Sequence, residues 1–236
     1  MRSDLISAIR EELVQLTDPK TKDQAQSYFK EPIKVYGVKT AIVNQIAGKY
    51  WLEVKALDKQ AVFDLCEVLF KSRFNEEAFI ACNWAYRLRN QLCAEDAAVF
   101  ANWIDSYIDN WAKCDTLCNH AVGALIDKYP ELIQILKKWA RSDNRWLRRA
   151  AAVTLIIPAR KGRYLQDIFE ISTILLTDRD DLVQKGYGWM LKEASKTHLN
   201  DVFDYVVSNQ AVMPRTALRY AIENMPETLR HRAMGK

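Results

Sequence analysis

Apolar residues recur at helical spacing along nearly the whole chain, and this periodicity restricts its fold more than any other feature. The first example is a stripe of five side chains, Leu5, Ile6, Ile9, Leu13 and Leu16. Residues three and four positions apart share one face of an α-helix, so each such stripe predicts an amphipathic helix. No stretch shows the alternation of apolar and polar residues that predicts a strand. The sequence therefore predicts an all-α protein.

Capping residues and prolines set the expected helix bounds, although only 7 Gly and 6 Pro punctuate the 236 residues. Asp18-Pro19, Pro32 and Pro158 are expected to end helices, and Pro130 to stand at the start of one. The predicted helices are 3–16, 22–29, one opening at 37, 58–71, one opening at 75, 94–109, 114–129, 131–141, 146–157, 164–176, 180–195, 200–208 and 215–224. The pattern leaves open whether Trp111 ends one helix or begins the next.

The spacing of these helices favours a repeat architecture. Helix pairs recur about every 35 to 40 residues, near the period of HEAT-type repeats, and short connections imply antiparallel neighbours. We expect a right-handed or C-shaped solenoid of HEAT-like antiparallel helix pairs, with residues 1–236 forming a single domain. Such a solenoid has a concave face long enough for a duplex.

Composition is that of an ordinary globular chain, with 49% hydrophobic and 27% charged residues. The longest apolar stretch, near residues 171–176, is much too short for a membrane span, and the first residues do not follow the signal-peptide pattern. We expect a cytoplasmic protein that does not contact membranes.

Five cysteines occur, Cys66, Cys82, Cys93, Cys114 and Cys118, without the paired spacing of a disulfide framework. We expect them to be reduced and mostly to occupy small apolar core positions. Cys114, Cys118 and His120 lie close together, but a zinc site needs a fourth ligand, and no second ligand pair is present. The sequence therefore favours no metal here.

Basic residues concentrate in the C-terminal half, although the formal net charge is only +4. Residues 137–149 contain six basic side chains and a single acid, Asp143. Such clustering is typical of proteins that bind a polyanion such as nucleic acid. A solvated helix face with no partner is the alternative reading.

Two stretches carry a tryptophan beside residues that could contribute to a ligand site. Trp111 and Asp115 stand four residues apart, which places them on one helix face, one above the other. Trp189 closes the stretch 184–189, in which Gly186 and Gly188 would let another chain approach closely. Two indoles and one carboxylate suit a cationic ligand.

Four motifs in order give the chain a family resemblance. They are Ser-Tyr-Phe-Lys at 27–30 followed by Tyr-Gly-Val at 36–38, Trp-Ala-Lys-Cys-Asp at 111–115, Ser-Asp-Asn-Arg-Trp-Leu-Arg-Arg-Ala-Ala at 142–151, and Gln-Lys-Gly-Tyr-Gly-Trp at 184–189. Together they resemble the alkylpurine DNA glycosylases built from HEAT-like repeats, the DNA alkylation repair enzyme family. The resemblance covers almost the whole chain. Departures from the family pattern are Cys114, the 118–120 stretch and the 213–216 ending.

The resemblance implies specific residue roles. The aromatic, aspartate and aromatic set that faces the damaged nucleotide falls on Trp111, Asp115 and Trp189, and these are the expected catalytic residues. The family's phosphate-binding arginine falls on Arg149. The expected DNA-binding residues are Arg149, Arg148, Tyr28 and Lys185. The resemblance further implies a concave basic face on double-stranded DNA that contains alkylated purines, no metal or organic cofactor, and a monomer.

The implied activity is excision of cationic N3- and N7-alkylpurines, such as 3-methyladenine and 7-methylguanine, by hydrolysis of the N-glycosidic bond. Positive charge on the base makes it a good leaving group, and a fixed carboxylate interacts more strongly with the developing sugar cation than with the ground state. We expect Asp115 to supply this carboxylate. Sequence does not decide whether the base is flipped out.

Simpler roles exist for the same residues and for the whole chain. Tryptophan is usually a core residue, and we expect Trp84, Trp103 and Trp139 to be buried. Asp115 could cap a helix that starts near Cys114. Arg148 and Arg149 could pair with acids on a neighbouring helix, Arg148 more readily than Arg149. The alternative functions are a non-catalytic binder of damaged or branched DNA and a HEAT-type scaffold for protein interaction.

Overall fold

The computed structural model describes residues 2–235, with side chains from Asp4 onwards, and these residues form a helical protein. No strand occurs in this part of the chain; one isolated bridge joins Lys34 and Phe74. The all-α prediction is confirmed.

The first unit runs to Ala121. Its helices are α1 (Arg2–Gln15), α2 (Pro19–Ser27), α3 (Thr40–Val54), α4 (Lys59–Lys71), α5 (Asn75–Arg87), α6 (Asp96–Tyr107) and α7 (Trp111–Leu117), with a 3₁₀ turn at Arg89–Gln91. Helices α3, α5 and α7 pack side by side, and α4 packs on both α5 and α6. This two-layer arrangement of successive helix pairs is that of HEAT-like repeats.

The second unit runs from Val122. Its helices are α8 (Gly123–Lys128), α9 (Ile133–Trp139), α10 (Arg145–Val153), α11 (Ile156–Arg160), α12 (Leu165–Ile174), α13 (Asp181–Ala194), α14 (Leu199–Asn209), α15 (Arg215–Ala221) and α16 (Glu227–Ala233), with a 3₁₀ turn at Pro130–Leu132. Helices α10, α13 and α15 pack side by side, while α9 packs on α10 and α12 on α13. The contacts therefore repeat the layering of the first unit.

Several helices begin with a side-chain cap. Asp18, Asp58, Asn144 and Asp180 each accept a backbone N–H from the first turn of the helix that follows them. These side chains satisfy donors that have no partner within the helix, which stabilises each end by about 1 kcal/mol.

Other helix ends differ from the prediction. Pro158 does not end a helix but lies inside α11, in a first turn that needs no backbone donor from it. Helix α16 was not predicted. The expected helix 114–129 begins earlier, at Trp111, and contains a π-helical turn at Cys118–Val122 between α7 and α8. Trp111 thus belongs to the first turn of α7.

The core contains the three tryptophans expected there. Trp84 and Trp103 are fully buried and Trp139 is 7% exposed. The Trp84 indole donates to the carbonyl of Ala47 over 2.9 Å, which joins α5 to α3. Around Trp103 lie Phe63, Phe70 and Phe100, with ring centroids 5.2 to 5.6 Å from the indole.

Candidate active site

Asn110 sets the start of helix α7 and therefore the position of Trp111. Its side-chain oxygen accepts the backbone N–H of Lys113 over 3.1 Å. Its amide nitrogen donates to Asn75 Oδ1 over 2.8 Å and to Asp109 Oδ1 over 2.9 Å. Asn110 is buried, so these bonds join the first turn of α7 to the start of α5.

The indole of Trp111 lies against another aromatic ring. Phe29, just after α2, stacks on it with ring centroids 5.2 Å apart and planes inclined by 20°. Trp111 is half-buried. The phenyl ring therefore supports an indole that remains partly accessible to a ligand.

Asp115 lies one helical turn after Trp111, as the spacing predicts. It is in the interior of α7 and does not cap it, so the capping alternative is wrong: Asn110 has that role. Asp115 is 9% exposed. A carboxylate in such a position interacts more strongly with a nearby cation than an exposed carboxylate does, because less water screens it.

A buried lysine, whose role no sequence motif indicates, stabilises the same turn. Lys113 is 1% exposed, and its ammonium group donates to the Arg73 carbonyl over 2.6 Å and to Asp109 Oδ1 over 2.8 Å. Burial lowers the pKa of Lys113, and the bond to Asp109 opposes that shift. Arg73 itself has a left-handed backbone, with φ of 68°. The Asp109 and Lys113 spacing of four residues was the available sequence signal.

Two buried acids at the start of α5 anchor the segment after Phe29. Glu76 accepts the backbone N–H groups of Tyr36, Gly37 and Val38 over 2.8 to 3.1 Å. Glu77 accepts the Tyr36 hydroxyl over 2.7 Å and pairs with Arg10 over 2.9 Å. The sequence predicts these acids at a helix N-terminus, but it does not predict these partners.

Gly37 is required in that segment for two reasons. Its φ is +96°, a left-handed value that side chains rarely adopt. A Cβ there would also lie 2.7 Å from Lys22 Cβ and 2.8 Å from the Asp18 carbonyl oxygen. The Tyr-Gly-Val motif therefore serves the tight turn by which the segment reaches Glu76.

Trp189 lies on α13 in the second unit and is half-buried. Its indole N–H donates to Glu193 Oε1 over 3.3 Å, one turn further along the helix. Glu193 also pairs with Arg160 and Lys196, each over 2.7 Å. Burial alone would raise the pKa of Glu193, but the bonds from Arg160 and Lys196 outweigh it and hold that pKa below its ordinary value. Trp189 is thus oriented by an ionised carboxylate.

Arg149 lies on α10 and is 5% exposed. Its Nη1 donates to the carbonyl of Leu182, in the first turn of α13. The side chain passes over Gly186, where an added Cβ would lie 3.4 Å from Arg149 Cγ. The structure therefore places the arginine between α10 and α13, as a contact that joins the two helices.

At Gly188 the close approach is made by α15 of the same chain and not by another chain. A Cβ at this position would lie 2.7 Å from Tyr220 Cβ and 2.8 Å from the Ala217 carbonyl oxygen, both on α15. Between the two glycines, Tyr187 is fully buried and its hydroxyl donates to the Leu176 carbonyl over 2.9 Å. The motif thus packs α13 tightly enough to fix Trp189.

The remaining predicted DNA-binding residues differ in their surroundings. Arg148 pairs with Asp178 over 2.6 Å and donates to the carbonyls of Ser142 and Asp143. Arg148 thus does pair with an acid, but that acid lies in the loop before α13 and not on a neighbouring helix. Lys185 pairs with Asp181 over 3.2 Å. Tyr28 is 73% exposed.

The basic stretch 137–149 is partly neutralised within the second unit. Lys137 pairs with Asp167 and Glu170, and Arg145 with Asp180. The charge excess seen in the sequence is therefore smaller on the folded surface around α9 and α10.

The cysteines and their neighbours resemble core residues more than a ligand set. Cys66, Cys82, Cys114 and Cys118 are buried, and Cys93 is half-buried. Among the side chains that the structure describes, no group of three potential ligands is placed to hold a metal. His120, near Cys118 in sequence, instead lies 5.4 Å from the Tyr86 ring.

The two-layer helix pairs and the motifs they carry define a helical-repeat protein with a half-buried indole and a buried carboxylate on one helix. The model of the DNA alkylation repair enzyme family matches residues 9–225, and the chain therefore belongs to this family. Family membership gives the chain a role in DNA alkylation repair.

A solved structure supports the fold. The predicted DNA alkylation repair enzyme from Enterococcus faecalis superposes with a TM-score of 0.80, over 89% of this chain and 97% of that one, at 16% sequence identity. At this identity the likeness concerns the fold alone. A comparison with curated proteins gives no match. No helix of the described residues is long and apolar enough to cross a membrane.

Proposed function

We propose that this chain is a monofunctional DNA glycosylase that excises cationic N3- and N7-alkylpurines from duplex DNA as the first step of base excision repair. The observation that carries the proposal is the buried carboxylate of Asp115, one helical turn from the half-buried indole of Trp111. Membership of the DNA alkylation repair enzyme family supplies the substrate class, alkylated DNA.

The reaction needs a fixed negative charge more than it needs an acid. The bond between C1′ and the base nitrogen breaks, its electron pair moves to the cationic base, and the base leaves neutral. Positive charge then develops on the sugar, where the Asp115 carboxylate stabilises it. Water attacks C1′ and loses its proton, which leaves an abasic site. The Asp115 carboxylate can accept a hydrogen bond from that water, which orients it, and can then accept its proton.

The indole of Trp111 provides selectivity for the charged nucleotide. An aromatic face attracts a cation by roughly 0.5 to 2 kcal/mol, with the larger values where water is excluded. The stacked ring of Phe29 keeps the indole in one orientation, so little conformational entropy is lost on binding. The family resemblance assigns Trp189 a second contact of this kind, and that role stays a prediction.

Contacts with the DNA backbone are the predicted role of Arg149, Arg148, Tyr28 and Lys185. Contacts with phosphate position a duplex without reading its sequence. Tyr28 is exposed enough for direct contact. Arg148 and Lys185 would have to exchange or share their acidic partners, Asp178 and Asp181, with a phosphate.

The decisive experiment measures release of free base from duplex DNA methylated by an alkylating agent, in buffer that contains a chelator. We expect the wild-type chain to release 3-methyladenine or 7-methylguanine, and Asp115→Asn to release none while it keeps its affinity for DNA. Asp204→Asn, an exposed aspartate on α14, is the matched control and should retain full activity.

Two outcomes would contradict the proposal. Release by Asp115→Asn at the wild-type rate would remove the carboxylate from the mechanism. No release by the wild-type chain, together with DNA binding that weakens with salt, would instead identify a non-catalytic binder of damaged DNA.

A further inference from the structure

A groove opens in the first unit between α3, α5 and the helix that begins at Trp111. Its volume is about 450 Å³, a size typical of sites for small organic ligands. The lining side chains come from all three helices: Thr40, Asn44, Phe79, Cys82, Asn83, Tyr86, Thr116 and His120. None of them has a role in the proposed excision, although Thr116 directly follows Asp115 in the chain.

The lining of the groove is mostly apolar with a few polar groups, and none of the described residues that line it carries a fixed charge. Partial burial of the ring lowers the pKa of His120 below its ordinary value, which favours the neutral imidazole. A phosphate would need cations in the lining, and a metal ion would need carboxylates. The groove therefore suits an uncharged ligand.

Its polar groups offer hydrogen-bond donors as well as acceptors. The amide oxygen of Asn83 accepts a hydrogen bond from Arg87 Nε over 2.6 Å. Asn83 can therefore offer a ligand mainly its NH₂ group, which is a donor. The hydroxyl of Thr116 donates to the Ala112 carbonyl over 2.7 Å, so its oxygen serves as an acceptor. Asn44 supplies both kinds of group. A ligand with adjacent donors and acceptors matches this set.

The groove also has an aromatic wall that suits a flat ring. Tyr86 is 38% exposed, and its ring centroid lies 5.4 Å from that of His120. His120 belongs to the π-helical turn Cys118–Val122, an irregularity that is frequent at functional sites. Stacking on one aromatic ring contributes to the binding of a nucleobase whatever its sequence context.

From the neutral lining, the mixed donors and acceptors and the aromatic wall together, we propose that this groove binds an uncharged purine nucleobase. Two sources share this chemistry: a free base, and the base of a nucleotide. The guanidinium of Arg89, outside the lining itself, lies 4.9 Å from the Tyr86 ring centroid, so a nucleotide would have a nearby cation to pair with and a free base would not need one. The assignment of a free base as the ligand rests on the proposed function, since a neutral free base is the product of that reaction.

The test is a titration of the full chain, as Asp115→Asn, with adenine, 3-methyladenine and adenosine 5′-monophosphate, followed by NMR of side-chain amides and methyl groups. We expect saturable shifts at Asn44, Asn83 and Thr116. Asn44→Leu and Thr116→Val should each weaken binding about three- to tenfold, the usual effect of one lost hydrogen bond. Asn102→Leu, an exposed position on α6, should leave the affinity unchanged.

Each result decides the proposal. Absence of saturable shifts with every probe overturns it, and so does an affinity that neither groove variant reduces while both remain folded by circular dichroism. Binding of the monophosphate without binding of either free base assigns the groove to a nucleotide. Base release from methylated DNA is measured separately. Ligand binding in the groove without base release would contradict the proposed glycosylase activity, and base release without ligand binding would contradict the proposed nucleobase site.

Discussion

The phenyl ring of Phe29 stacks on the indole of Trp111 with centroids 5.2 Å apart and planes inclined by 20°. Phe29 comes from the segment between α2 and α3, and Glu76 binds the later part of that segment through three backbone N–H groups. The orientation of the proposed cation-binding indole therefore depends on residues that do not contact DNA in the proposed mechanism.

Loss of this stacking should reduce excision without reducing general DNA affinity. We expect Phe29→Ala to lower kcat/KM on methylated duplex about three- to tenfold, because an aromatic pair contributes about 0.5 to 1.5 kcal/mol and an unsupported indole samples more orientations. Phe29→Tyr should restore the wild-type value, and the tryptophan fluorescence spectrum should change only in the alanine variant.

Phe169→Ala is the matched control, because it removes another stacked ring, the partner of Tyr205 in the second unit. It should cost comparable stability and leave excision per folded molecule unchanged. Equal loss of excision in both variants would show that Phe29 acts only through stability.

Arg149→Ala should weaken binding to damaged and undamaged duplex alike. A cation that contacts phosphate releases counterions, so we expect the slope of log affinity against log salt to fall in magnitude by about one. Because Arg149 is buried and donates to the Leu182 carbonyl, the variant should also unfold at a lower urea concentration. Binding is therefore measured per folded molecule.

Arg230→Ala, on the exposed side of α16, serves as the comparison for Arg149→Ala. A wild-type salt slope in Arg149→Ala, combined with lowered stability, would contradict the phosphate role and leave only the contact between α10 and α13.

The two glycines of α13 should respond differently to the same substitution. Gly188→Ala places a Cβ 2.8 Å from a carbonyl oxygen of α15, and we expect a loss of about 1 to 3 kcal/mol in the free energy of unfolding. Gly186→Ala meets only side-chain atoms at 3.4 Å or more, and alanine is the better helix former by about 1 kcal/mol, so it should be neutral or stabilising. Urea unfolding of both variants provides the measurement, and equal losses would refute the packing argument.

Stability should fall above pH 10 in part because of Tyr187. Burial raises the pKa of this phenol in the folded protein, so the unfolded chain loses its proton first as the pH rises. The stabilisation is complete below the unfolded pKa of about 10 and is lost progressively above it. Tyr187→Phe should therefore reduce the fall in unfolding free energy between pH 9 and pH 11, whereas Tyr28→Phe, an exposed position, should not. An unchanged profile in Tyr187→Phe would contradict this cause.

Features that depend on neighbours three or four positions away could be predicted from the amino-acid sequence. Helical spacing of apolar residues defined the all-α class and most helices. The i, i+4 relation of Trp111 and Asp115 follows from the helical period alone. The family could be recognised from four motifs, since local chemistry was enough to mark them.

The side chains that support those residues could be identified only from the folded protein. Three contacts join segments that are far apart in the chain. They are the stacking of Phe29 on Trp111, the hydrogen bonds from the 36–38 backbone to Glu76, and the hydrogen bond from Arg149 to the Leu182 carbonyl. Periodicity carries no information on such pairs, because many distant segments present equally compatible faces. Asn110 rather than Asp115 caps α7 because Asn75 and Asp109 hold the asparagine at that position, and this competition between two good capping residues is settled by packing.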